Sequence, residues 1–187
     1  FCNTDNDAER EQECVSFLQS KMVDGLIFTR SLSKSFFENY LSRNIPTVIV
    51  DRNIDTAASG IGKVYIDTPA AVFDTTRLLI EKGCKHIAFI SAMSTSSTDR
   101  FGGYCRALEE SGIPLDDSLV YREHYSVETG YKGAEAILSK HTVDGIVCGN
   151  DLIAAGAMQA VRQRGLSIPG DVKLVGLDNI YFSKFLY

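Results

Sequence analysis

Gly145-Ile146-Val147-Cys148, then Gly149-Asn150-Asp151, then the run Leu152 to Arg164 closed by Gly165, is the stretch from which the fold can be read. Four small or apolar residues in succession, without polar alternation, suit a strand covered on both faces, the habit of parallel sheets. The run after Asp151 has helical periodicity, and Gly165 is a good stop for it. Strand, polar junction and helix make the repeating half of a βαβ unit, and a parallel sheet requires that the pattern recur.

It does, in both directions. Asp5 or Asp7 can cap a helix whose apolar stripe is Cys14, Val15, Leu18 and Met22. Gly25 to Phe28 reads as a buried strand. Ser35 opens a short helix carrying Phe36, Phe37, Tyr40 and Leu41, and Pro46 precedes a strand at Thr47 to Val50. Asp51 to Gly62, rich in Asp, Asn, Ser and Gly, reads as a loop before a strand at Lys63 to Ile66, the expected crossover between lobes. Pro69 to Lys82, with proline in the first turn and Gly83 beyond the last, has a full set of helix boundary signals. A strand at His86 to Ile90 follows, then a hydroxyl-rich loop from Ser91 to Thr98 and a helix holding Phe101, Tyr104, Cys105 and Leu108, closed by Gly112 and Pro114. A helix at Val127 to Ser139 and a strand at Val172 to Leu177 complete the series. No repeat of fixed period and no low-complexity segment interrupts it.

The chain has 187 residues, 44% hydrophobic and 23% charged, enough to bury a sizeable core. A net charge of -5 argues against a nucleic-acid-binding surface within this stretch, because phosphate neutralisation needs clustered Lys and Arg. No apolar run reaches the ~20 residues needed to cross a bilayer, so no membrane partner is expected. Five cysteines, Cys2, Cys14, Cys84, Cys105 and Cys148, are scattered without paired metal-site spacing, which fits a cytosolic protein with reduced thiols and no bound metal. Gly60-Ile61-Gly62-Lys63 lacks the spacing of a phosphate loop and leads into a strand. Asn3, Asp5 and Asp7 have alternate-position spacing, but Ala8 stands where a calcium loop needs glycine. His86, His124 and His141 are far apart and outside any hydrolase or zinc motif. No enzyme activity and no cofactor are expected.

Ligands of open parallel sheets bind beyond the carboxyl ends of the strands, where the connecting loops converge. Polar residues at strand ends are therefore the candidates. Asp51, Asn150 with Asp151, and Asp178 each follow an apolar strand, and Arg100 begins a helix after the hydroxyl loop. Any one of them alone is as well explained as a helix cap or turn former.

Thr4-Asp5-Asn6-Asp7, Val23-Asp24-Gly25-Leu26-Ile27, Ile45 through Arg52, Gly83 through Ile90, Arg100-Phe101-Gly102-Gly103-Tyr104, Gly149 through Ala154, and Ile168 through Asn179 form an ordered series. In that order and spacing it resembles the effector domain of LacI/GalR-type transcription regulators, over essentially the whole chain. It departs at Cys84, where the family usually has His, and at Leu177, usually aromatic. The resemblance implies an α/β, periplasmic-binding-protein-like fold of two Rossmann-like lobes with mostly parallel sheets. Residues 1–65 would form a partial amino-terminal lobe and 66–187 the carboxyl-terminal lobe, in a fragment lacking the first strand and the return strands. It further implies a homodimer, a small polar effector such as a sugar in the interlobe cleft, and operator DNA bound through a helix-turn-helix headpiece outside this chain. Carried over, Asp51, Arg100, Asn150 and Asp178 match polar ligand contacts and Tyr125 an aromatic against the ligand's face; Ser96, Thr29 and Ser31 are weaker candidates. The rival is a periplasmic sugar-binding protein, which shares the fold but for which five cysteines would be a liability.

Overall fold

The computed structural model describes residues 1–4, 7–29, 45–50, 61–93 and 100–186. Within them the chain divides into two compact units, Phe1–Ile66 and Asp67–Tyr187.

In the first unit, Asp7 starts helix α1 (Ala8–Ser20) by accepting the backbone N–H groups of Glu9 and Arg10, each at 2.9 Å. Strands β1 (Leu26–Phe28), β2 (Thr47–Val50) and β3 (Ile61–Val64) pair parallel in that order, with Leu26 opposite Thr47 and Thr47 opposite Ile61. Val15, Leu26 and Ile49 form the core, and Ile61 packs against it. Two expectations are corrected here. Met22 does not belong to the stripe of α1: the helix has ended, and Met22 lies exposed in a left-handed conformation with φ 53°. The third strand runs from Ile61 to Val64, two residues earlier than Lys63 to Ile66. Ile61 supplies the inward side chain, and Gly62, which suggested a loop, is tolerated at the edge of the described sheet. The helix expected after Ser35 and the loop from Asp51 to Gly60 lie outside the described residues.

The second unit alternates helices α2 (Thr68–Glu81), α3 (Arg100–Glu110), α4 (Val127–Leu138) and α5 (Asp151–Gln163) with strands β4 (Ile87–Ala92), β5 (Val120–Glu123), β6 (Gly145–Cys148) and β7 (Lys173–Val175). Asp67 caps α2, and Gly83 ends it at φ 88°, the left-handed position that glycine occupies without steric cost. The four strands are parallel in the order β5-β4-β6-β7, with Phe89 opposite both Val120 and Val147. Strand β5 had no counterpart in the sequence reading, and β7 is shorter than the Val172 to Leu177 expected.

Side chains alternate along β4 and β6, so each strand feeds two cores. Ile87 and Phe89 of β4 and Val147 of β6 pack with Val72 and Leu79 of α2 and with Tyr104 and Leu108 of α3. Ala88 and Ile90, with Ile146 and Cys148, pack on the other face with Ala134 and Ile137 of α4 and Ile153, Ala157 and Val161 of α5. The result is three layers, helices on both faces of one sheet. Tyr104, fully buried, donates its hydroxyl to the carbonyl oxygen of Ile87 at 2.8 Å and stacks on Phe89 with ring centroids 5.0 Å apart. Helices α4 and α5 meet backbone to backbone: a Cβ on Gly156 would stand 1.9 Å from the carbonyl oxygen of Val127, and one on Gly130 would stand 2.0 Å from that of Ile153.

Candidate functional site

Because the four strands of the second unit are parallel, their carboxyl ends line one edge of the sheet. The loop leaving β4 leads to α3 on one face, while the loop leaving the adjacent β6 leads to α5 on the other. Neighbouring strands whose connections part to opposite faces open a crevice between them, the general location of ligand sites in such sheets.

Arg100 is the first residue of α3, where the helix dipole disfavours a cation. Its surroundings offset that. The Asp178 carboxylate lies 3.8 Å from one guanidinium nitrogen, a second nitrogen donates to the Tyr125 hydroxyl, and the guanidinium carbon stands 5.0 Å from the centre of the Tyr125 ring. The Arg100 side chain is only 16% exposed, against 43% for Asp178, and its Nε is buried with no hydrogen-bond partner among the described residues. A buried donor of this kind is costly unless something accepts from it.

Tyr125 precedes Ser126, whose hydroxyl accepts the Thr129 backbone N–H and so starts α4. The ring is partly exposed, as a plate for an apolar ligand face must be. Asp178 lies beyond β7 in a left-handed conformation, φ 95°, and Asn179 follows at φ 50°. Consecutive non-glycine residues held there carry backbone strain, which persists where surrounding structure over-determines it. Arg100, Tyr125 and Asp178 thus come together from three separate strand ends.

Asn150 stands at the end of β6, nearly buried. Its Oδ1 accepts the Ile153 backbone N–H at 3.0 Å to cap α5, which leaves the side-chain amide hydrogens for other partners. Thr29 lies exposed after β1 in the first unit. Asp51, Ser31 and Ser96 lie outside the described residues.

Two further residues lie near this edge: Arg122, which the sequence did not single out, and Asp151, which it named with Asn150 at a strand end. Arg122, on the overlooked β5, pairs in register with Ser91 and sets its guanidinium carbon 4.8 Å from the Phe101 ring. Asp151 is buried, and its Oδ2 accepts the backbone N–H of Ile180 at 2.8 Å, two residues beyond Asp178. The only sequence signal for it was its place beside Asn150. Among the described residues no cluster of three or more His, Cys, Asp or Glu side chains is disposed to hold a metal ion.

Residues 2–185 match the family described as periplasmic binding proteins and sugar binding domain of LacI family. The chain belongs to the LacI family. Similar proteins include the HTH-type transcriptional regulator RegA of Clostridium saccharobutylicum, 35% identical over 192 residues that cover 100% of this chain and 57% of that protein. The ribose operon repressor of Halalkalibacterium halodurans is 34% identical, with 100% and 55% covered. The chain therefore spans little more than half the length of these relatives, which are regulators by name and not enzymes. Among solved structures, a sugar-binding LacI-family regulator from Escherichia coli complexed with phosphate superposes with a TM-score of 0.83 at 28% identity, covering 95% of this chain and 65% of that one. The regulator CcpA of Lactococcus lactis gives 0.78 at 31% identity, covering 95% and 66%. The α/β fold with parallel sheets is that of LacI-family effector domains.

Proposed function

We propose that this chain is the effector-sensing core of a LacI-type transcription repressor, which holds a small polar ligand, a sugar or a molecule of similar chemistry, and catalyses nothing. The grouping of Arg100, Tyr125 and Asp178 at one sheet edge carries the reading. Arg100 offers a rigid fork of donors, including a buried Nε that needs an acceptor, and Asp178 accepts from hydroxyls. Tyr125 presents an aromatic face to the apolar side of a sugar ring, and Asn150 adds amide donors from β6. Asp51, Ser96, Thr29 and Ser31 belong to the same proposed set. Operator DNA is contacted through a helix-turn-helix headpiece in the longer protein, which acts as a cytoplasmic homodimer. Effector binding controls that contact by shifting the population of conformations.

The family description also covers periplasmic binding proteins. The regulator reading is favoured because RegA, the ribose operon repressor and CcpA are all regulators by name.

The test is a thermal-shift screen of free sugars, nucleobases and amino acids on the full-length protein. A ligand at about 100 times its dissociation constant adds about 2.7 kcal/mol of stability, a rise of roughly 5–10 °C for a body of about 150–250 residues and less for a longer chain. The expected result is one chemical class that raises the melting temperature of the wild type but not of Arg100→Ala. A ligand that stabilises both equally binds elsewhere and removes Arg100 from the site.

A further inference from the structure

Asp151 occupies the first turn of α5, where a carboxylate is favourably placed against the helix dipole. Its second role is at longer range. Oδ2 takes the backbone N–H of Ile180, 29 residues away, at 2.8 Å. Oδ1 lies where a Cβ on residue 176 would approach within 2.7 Å, a space left open because that residue is Gly176. The buried carboxylate is therefore wedged against the segment leaving β7 and bonded to its far side. Between Gly176 and Ile180 lie the two left-handed residues, Asp178 and Asn179. Beyond Ile180 the chain is tied down again, since the Ile180 carbonyl oxygen accepts from the Ser183 amide and hydroxyl, at 2.9 and 2.8 Å.

We propose that Asp151 is a positioning residue for ligand recognition: by holding Gly176 and Ile180 it imposes the left-handed turn that presents the Asp178 carboxylate to Arg100. The proposal rests on the reading of Asp178 as a ligand contact given above. Asp151 itself touches no ligand. Its worth lies in over-determining a backbone conformation that Asp178 does not adopt by preference. An amide at 151 keeps an oxygen for the Ile180 N–H, whereas a methyl group does not, so Asp151→Asn preserves the turn and Asp151→Ala releases it.

Two measurements on the full-length protein separate this proposal from the reading beneath it. The first needs no ligand: the Arg100 Nε–Hε resonance and the exchange rate of the Ile180 amide, followed by NMR. Asp151→Ala is expected to shift the Arg100 resonance and to speed Ile180 exchange by at least about tenfold, as local protection is lost. Asp151→Asn leaves both near wild type. If Asp151→Ala proves too unstable to study, Gly176→Ala pushes on the same carboxylate from the opposite side and should move both signals the same way. An unmoved Arg100 resonance in these variants, or an Asn variant no better than Ala, overturns the positioning role.

The second measurement is calorimetric titration with D-ribose, D-glucose, D-gluconate and hypoxanthine. For whichever of these the wild type binds, Asp178→Ala and Asp151→Ala should each weaken binding about tenfold or more, and the double variant should bind no more weakly than Asp178→Ala alone. Additive losses would mean that Asp151 acts independently, and overturn the proposal. If Asp178→Ala binds like wild type, or no probe binds at all, it is the reading of Asp178 as a ligand contact that fails, while the NMR result still decides whether Asp151 sets the turn.

Discussion

Replacing Gly156 by alanine should destabilise the second unit, although alanine is the better helix former by about 1 kcal/mol. The new Cβ would lie 1.9 Å from the carbonyl oxygen of Val127 and 2.6 Å from the amide nitrogen of Tyr131, both backbone atoms that cannot rotate away. Ordinary contact requires more than 3 Å, so α4 and α5 must separate by over an ångström along a face that includes Ala134, Ile137, Ala157 and Val161. Overpacking of this kind costs about 1–3 kcal/mol before contacts are lost, and a parted helix pair adds to it. A net loss of roughly 2 kcal/mol is expected, about 1 M in a urea midpoint for a typical slope. Gly102 is the internal control. It is also helical and exposed, and a Cβ there would meet nothing within 4 Å, so Gly102→Ala should gain roughly 1 kcal/mol. Urea unfolding followed by circular dichroism reads both. If Gly156→Ala raises the midpoint as Gly102→Ala does, the close helix contact is not a feature of the protein in solution.

Four further outcomes are expected. Arg100→Ala and Asp178→Asn should leave the melting temperature nearly unchanged while weakening effector binding by about 10- to 150-fold, the loss of one charge-assisted hydrogen bond; a large stability loss with unchanged affinity would make them structural partners. Because Asp178 sits at φ 95°, Asp178→Gly should be more stable than Asp178→Ala by about 1 kcal/mol in chemical denaturation, and equality would mean that the turn relaxes. Burial pushes the Tyr104 phenol and the Cys148 thiol well above their ordinary values, so the unfolded chain releases these protons first. Stability should be intact below about pH 8.5 and fall at higher pH by up to about 1.4 kcal/mol per pH unit for each group, with Cys148→Ala flattening the decline from pH 8.5 and Tyr104→Phe from pH 10; curves identical to wild type would contradict this. With a net charge of -5, residues 1–187 alone should bind duplex DNA no better than an acidic control protein in a gel-shift titration at varied salt.

What the sequence disclosed and what it concealed follow from the range of the interactions. Helices α2, α3, α4 and α5 were legible because their signals are local: Pro69 in a first turn, Gly83, the glycine after α5, and spacing that keeps one face apolar. Strand β5 was missed because Val120-Tyr121-Arg122-Glu123 at the sheet edge is only half-buried and carries two charged residues, so neither an apolar run nor alternation marks it. Met22 was assigned to a helix because it falls on the right spacing, yet the chain had already turned at Lys21. Arg100, Tyr125, Asn150 and Asp178 were singled out from strand ends and from resemblance, and the structure groups Arg100, Tyr125 and Asp178. Asp151 could not be read in the same way. Its partner is a backbone N–H 29 residues away, and a main-chain donor leaves no mark in a sequence.

The backbone contact between α4 and α5 has a mechanical consequence. Gly130 and Gly156 let each helix seat into the other as a tooth into a notch, so neither can slide along its neighbour without first lifting out. Tyr125 stands just ahead of one helix and Asn150 just ahead of the other. The residues that precede the two helices are therefore carried at a separation that main-chain geometry sets, insensitive to thermal sliding. Altering that separation would require redrawing the helix pair, and not only the residues at its ends.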